Sequence, residues 1–150
     1  MIKRYFGDRL YSICLFGSVA REEGSPISDI DVLVVAEGLA PDIGSRISET
    51  NHLHMTLKKT DGYVRLKRLG RSGLISDIFL TPSEVQKHPP ILLDMVDDGL
   101  IMFDRDHFLE NVLSAIRRRL QDLSAFKVKT KKGWYWVLKP DVKPSEVVEI

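Results

Sequence analysis

The sequence predicts one α+β domain, and three observations carry that reading. Four short apolar runs, at 10–16, 29–36, 74–80 and 100–103, are bounded by Gly, Pro, Asp or Ser, as β-strands are. Helical spacing fills other stretches, best of all in Leu109, Val112, Leu113, Ile116, Leu120 and Leu123, which share one helix face. The 150 residues, 43% hydrophobic and 29% charged, hold enough apolar material for a single core.

Taken in order, residues 2–6 can form a short helix that Gly7-Asp8 stops, and the first strand then runs over 10–16. Gly17 ends that strand. Ser18 can cap a brief helix over 19–23 before Gly24-Ser25-Pro26 imposes a loop, and the second strand follows over 29–36. Pro41 and Asp42 start a helix whose stripe is Ile43, Ile47, Leu53 and Leu57, reaching Lys59. Residues 62–73, with Arg65, Lys67, Arg68 and Arg71, read as loop or irregular helix with a basic surface. The third strand, 74–80, ends at Thr81-Pro82, a cap followed by proline at the first helical position. Pro89-Pro90 begins a short helix over 91–97, stopped by Gly99, and the fourth strand is 100–103. Asp106 is the expected cap of the long amphipathic helix. Residues 125–129 and 134–138 can pair as a hairpin, and Pro140 and Pro144 end regular structure. Residues 1–104 thus read as a core and 105–150 as a helix and hairpin packed on it, within a single domain.

Charge excludes little and directs little. Twenty-two Lys and Arg against 21 Asp and Glu give a formal +1, which argues against nucleic acid as the main partner. Locally, nine basic residues lie between Arg117 and Lys143 with only Asp122 and Asp141 against them, whereas 94–106 holds five Asp. The lone Cys14, inside an apolar strand, reads as a buried small hydrophobe. No apolar run approaches the ~20 residues of a membrane helix and no signal-peptide core follows Met1, so a cytoplasmic protein without a membrane association is expected.

Gly17-Ser18 and, ten residues on, Asp29-Ile30-Asp31 concentrate the chemistry. Alternation along a strand places Asp29 and Asp31 on one face, roughly 6–7 Å apart, while Ile30, Val32 and Val34 turn to a core. Two such carboxylates repel unless a cation sits between them, and oxygen-only ligands suit Mg²⁺ with substrate phosphates. Gly17 lets the backbone approach a phosphate, the Ser18 hydroxyl can donate to it, and Arg21, one turn on, can reach the same oxygens. Two Mg²⁺ ions could then clamp the attacking and leaving oxygens of a phosphoryl or nucleotidyl transfer. Asp77, in mid-strand, is the candidate third acid. Its alternative reading is an ion pair with a basic neighbour such as Arg65 or Arg68.

Leu-Phe-Gly17-Ser18-Val-Ala-Arg21 followed by Ser-Asp29-Ile-Asp31-Val-Leu-Val-Val resembles the signature of the minimal nucleotidyltransferases in the DNA polymerase β-like superfamily. The resemblance spans about residues 5–104. Asp77 is similar to that superfamily's third carboxylate by its place on a following strand. The tail, 133–141, resembles the ends of stand-alone archaeal proteins of this kind. The resemblance implies a mixed sheet with helices mainly on one face and Mg²⁺-dependent transfer of a nucleoside monophosphate, AMP from ATP first among them, to a hydroxyl on a protein or small molecule. Asp29, Asp31 and Asp77 would be metal-binding and catalytic, and Gly17, Ser18 and Arg21 would bind nucleotide. In the minimal group the partner is often a HEPN-type toxin protein that can be bound and adenylylated. The alternative is a catalytically inactive module of the same fold that neutralises a partner by contact.

Other features read more plainly. His52 and His54, two apart on a helix, do not share a face and make no zinc site; His88 and His107 read as surface residues. Arg117, Arg118 and Arg119 read as a solvated helix face, or as a surface for an acidic partner or nucleic acid. Trp134 and Trp136, on one side of a strand beside Lys127, Lys129, Lys131 and Lys132, invite a base-stacking reading, but packing against the amphipathic helix is the favoured one.

Overall fold

A computed structural model describes residues 1–130, 133–143 and 147–150; the readings placed on Lys131, Lys132 and Pro144 lie outside them. Four strands, β1 (Leu10–Phe16), β2 (Ile30–Ala36), β3 (Ile75–Leu80) and β4 (Leu100–Asp104), form one sheet in the order β3-β2-β1-β4. β1 pairs antiparallel with β2 and β4, and β2 pairs parallel with β3, so the sheet is mixed. The helices are α1 (Ile2–Phe6), α2 (Gly17–Ala20), α3 (Ile43–Leu57), α4 (Asp61–Arg68), α5 (Pro82–Val85) and α6 (Phe108–Asp122). β5 (Phe126–Thr130) and β6 (Gly133–Val137) make a separate antiparallel hairpin.

The central strands bury both faces. On one, Cys14, Phe16, Leu33 and Val35 meet α5, the 3₁₀ turn at Pro90–Asp94 and the Leu109-Leu113-Ile116-Leu120 stripe of α6. Each fully buried Leu or Ile of this larger core contributes about 1.5–3 kcal/mol. On the other, Val34 and Ala36 pack with Phe6 of α1 and Leu53 of α3, flanked by Val32 and Phe79. Cys14 is fully buried, and burial, with a smaller push from Asp104, raises its thiol to about 12, as an inert core residue requires.

Local rules held unevenly. Asp42 caps α3 by accepting from the Ser45 N–H at 2.8 Å, and Thr81 and Glu84 form a reciprocal capping box on α5. The buried face of α3, however, is Arg46, Thr50 and Leu53, while Ile43 and Ile47 are 75% and 63% exposed. The apolar stripe expected there is therefore displaced around the helix by the polar contacts of Arg46. The basic stretch 62–73 contains a regular helix, α4, capped by Thr60. Asp106 does not cap α6. It takes a left-handed conformation, and Asp104, still on β4, accepts from the N–H groups of Leu109 and Glu110 at 3.0 and 2.9 Å. The carboxylate of Asp104 thus ties the sheet edge to the helix start, and Ser12 donates to it at 2.6 Å.

Candidate active site

The site begins where β1 stops. Phe16 is paired with Asp31 across the antiparallel β1–β2 ladder, so the next residue, Gly17, lies beside the Asp31 side chain. Gly17 has φ +73°, and a Cβ built on it would run into Asp31 Oδ2. Both facts favour glycine here, since any side chain would be strained and would push the Asp31 carboxylate aside. α2 follows at once, and Ser18 and Arg21 stand at its two ends. The first N–H groups of a helix have no partner within it, and here they open beside Asp31.

Gly17, Ser18, Arg21 and Asp31 line a cleft of about 520 Å³ together with Ser76 and Asp94; Phe16, Ile78, Ile91, Gly133 and Trp134 also line it. Asp29 is exposed just before β2, within electrostatic reach of Asp31. The Asp31 carboxyl is held above its ordinary range, chiefly by burial and further by the charge of Asp29. A hydrogen bond with Ser76 and the charge of Arg21 work in the opposite direction. Arg21 itself is ion-paired with Glu23 at 3.1 Å.

The structure does not bring Asp77 to this cleft. In the parallel β2–β3 register Asp31 lies opposite Ser76, and Asp77 lies opposite Val32. One residue along a strand reverses the face, so Asp77 points with Val32 and Phe79 to the other side of the sheet. Its partner there is neither Arg65 nor Arg68 but His54, whose Nε2 is 2.8 Å from Asp77 Oδ2. The expectation of three acids on one side is corrected accordingly. Among the described residues no group of three or more His, Cys, Asp or Glu is arranged to hold a metal.

Beyond the residues expected from the sequence, the cleft is lined by Asp94 and Trp134, besides Ser76, Ile78 and Ile91. Asp94, at the end of the 3₁₀ turn, has its carboxyl raised by burial and, more weakly, by Asp31, while Arg21 and Lys127 pull it down. Its only sequence signal was membership in the acidic stretch 94–106. Trp134 had been grouped with Trp136, but the two part company: Trp136 packs on the larger core and Trp134 lines the cleft. Among the described residues no helix is long and apolar enough to cross a membrane.

Comparison with known proteins identifies the family of the chain. A candidate protein adenylyltransferase of Methanocaldococcus jannaschii is 31% identical over 135 residues, covering 88% of this chain and 84% of that protein. Among solved structures, a toxin-antitoxin crystallised with AMP-PNP aligns over 82% of this chain and 87% of its own, at 16% identity and TM-score 0.46. A complex of tri-AMPylated Shewanella oneidensis HEPN toxin with MNT antitoxin aligns over 81% and 82%, at 17% identity and TM-score 0.43. Likenesses of that size do not bear on the assignment, which rests on the sequence relative and on the family model for the nucleotidyltransferase domain, matched over residues 1–143. The chain belongs to the nucleotidyltransferase domain family.

Proposed function

We propose that this nucleotidyltransferase moves AMP from ATP to a hydroxyl on a protein. The observation that carries the reading is the Asp31 carboxylate, set against a glycine at φ +73° whose added Cβ would meet it, and left beside Asp29 without an ion pair among the described residues. Such a site wants a cation and has room for a phosphate next to it. The donor set fits Mg²⁺, which commonly takes one or two carboxylates and completes its shell with water and substrate phosphates. Asp29 and Asp31 would hold it, and the ion would supply charge neutralisation between the triphosphate and the attacking hydroxyl. Two ions are expected on this reading.

The remaining roles belong to the chain itself. The Ser18 hydroxyl donates to a phosphate oxygen, the bare backbone at Gly17 allows close approach, and Arg21 adds positive charge along the same wall. Positioning of this kind is most of what nucleotidyl transfer asks of a protein. A protein acceptor is the class named for the Methanocaldococcus jannaschii relative, and the HEPN-type partner implied by the sequence resemblance is the first to try.

The test is label transfer from α-³²P-ATP to a HEPN-type partner in Mg²⁺. The Asp29→Ala/Asp31→Ala double variant should lose at least ~100-fold in rate, since charge neutralisation by metal is worth several kcal/mol. Transfer that is unchanged in this variant overturns the mechanism. Tight partner binding without transfer by the wild-type protein would instead favour the non-catalytic module.

A further inference from the structure

We propose that Trp134, on the C-terminal hairpin, is the platform on which the nucleobase stacks. The inference rests on the nucleotide reading of the cleft given above and adds the recognition of the base. The cleft lining mixes two chemistries: Gly17, Ser18, Arg21 and Asp31 are polar or bare backbone, whereas Ile78, Ile91 and Trp134 are apolar. A nucleoside triphosphate has the same division, charged at one end and flat and aromatic at the other. With the phosphates at the Gly17-Ser18 turn, the base meets Trp134, whose ring is partly exposed, whereas Phe16, the other aromatic residue among the described lining, is buried in the core.

The hairpin is built to hold that ring in place. It shares no strand pairing with the four-stranded sheet, yet it is anchored one alternation step beyond Trp134. There Trp136 packs on the larger core, and its Nε1–H donates to the Leu93 carbonyl at 3.4 Å. Lys127, paired with Trp136 across the hairpin, reaches Asp97 at 2.6 Å. The same Lys127 ammonium lies 4.4 Å from the centroid of the Trp134 ring, and the Arg21 guanidinium lies 5.9 Å from it. Arg21 therefore lines the cleft and lies against the Trp134 ring, which joins the hairpin to the cleft. Trp136 packs on the core, and Trp134, with Lys127 and Arg21 near its ring, faces the cleft.

The experiment is calorimetric titration of the full chain with ATP, GTP and inorganic tripolyphosphate in Mg²⁺. Stacking on one aromatic side chain accounts for roughly a 5- to 150-fold change in affinity, and it tolerates any base. Trp134→Ala is expected to weaken ATP and GTP by that factor while leaving tripolyphosphate within twofold of wild type. Trp134→Phe should keep most of the affinity. In a Trp136→Phe background, where Trp134 is the one remaining tryptophan, ATP should quench the emission and tripolyphosphate should not. Unchanged ATP affinity in Trp134→Ala, or an equal loss for tripolyphosphate, overturns the proposal, because the ring would then be structural. Failure of the nucleotide reading looks different: wild-type protein would bind neither ATP nor tripolyphosphate, and both inferences would fall together.

Discussion

Asp31 and Asp77 sit on neighbouring strands of one sheet, one register step apart, and they live in opposite electrostatic worlds. On the Asp77 side, a groove of about 760 Å³ between α3 and β3 is lined by the paired charges of Arg46, Glu84, His54 and Asp77, with the exposed Lys58 at its edge. Arg46 meets Glu84 through two 2.9 Å bonds, donates to the Phe79 carbonyl at 3.0 Å and to the Ala40 carbonyl, and His54 holds Asp77. On the Asp31 side, the charge of Asp29 acts on the carboxyl more strongly than that of Arg21, and Arg21 is shared with Glu23. Paired charges hold a fold together, and on the proposed reading the Asp31 carboxylate, held by Ser76 but by no ion pair among the described residues, is the one that binds a ligand. The contrast tells structure from function where residue type alone does not.

The largest expected effect lies in the groove. Arg46 is buried and ties α3 to α5 and β3, and its guanidinium holds the Glu84 carboxyl down at about 2, with Thr81 assisting and burial opposing. Arg46→Met should destabilise the protein by about 2–4 kcal/mol, somewhat under the full cost of breaking a buried pair because Glu84 is partly exposed. The pH dependence follows from a depressed carboxylate. The contribution of Glu84 is complete above its unfolded value near 4.5 and is lost as pH falls toward 2. Denaturant melts of wild type and variant should therefore converge over that window. A loss below 0.5 kcal/mol at pH 7 would mean that these paired charges do not hold the fold.

Why could the Asp31 cleft be read in the sequence and the groove not? Gly17, Ser18, Asp29 and Asp31 lie within fifteen residues, and their spacing is fixed by one strand, one turn and the next strand. Period-two alternation and turn chemistry suffice at that range, and β1 was placed to the residue. The Arg46–Glu84 and His54–Asp77 pairs are 38 and 23 residues apart, so only the assembled sheet brings them together. The Asp77 error has the same root. Being on a strand was legible, but the parallel register that puts Ser76 opposite Asp31 is a tertiary fact. Trp134 and Trp136 share a strand side, and only the position of the hairpin separates ligand wall from core.

A smaller effect tests the correction directly. Asp77→Ala removes one partly exposed hydrogen-bonded pair, so a stability loss of about 0.5–1.5 kcal/mol is expected. Because Asp77 faces away from the cleft, AMP transfer measured with the same labelled-ATP assay should stay within about threefold of wild type. A loss of two orders of magnitude in a folded variant would place Asp77 with the metal after all. The distinction between the two sides of the sheet would then fail.

The smallest effect has an unusual sign. Asp31 titrates above its ordinary 3.8 in the folded protein, so its ionised form is disfavoured there by burial and by Asp29. An elevated carboxylate weakens the fold as pH rises past the unfolded value, and the weakening is complete above the folded one. Asp31→Asn, of equal size and without charge, should therefore melt slightly higher than wild type at pH 7 without divalent metal, by less than about 1 kcal/mol. At pH 3 the two should coincide. Added Mg²⁺ should raise the melting temperature of wild type by mass action and leave the Asn variant where it was, reversing their order. If the Asn variant instead melts lower in the absence of metal, Asp31 is engaged as Glu84 is, and the cleft would be held by paired charge like the groove behind it.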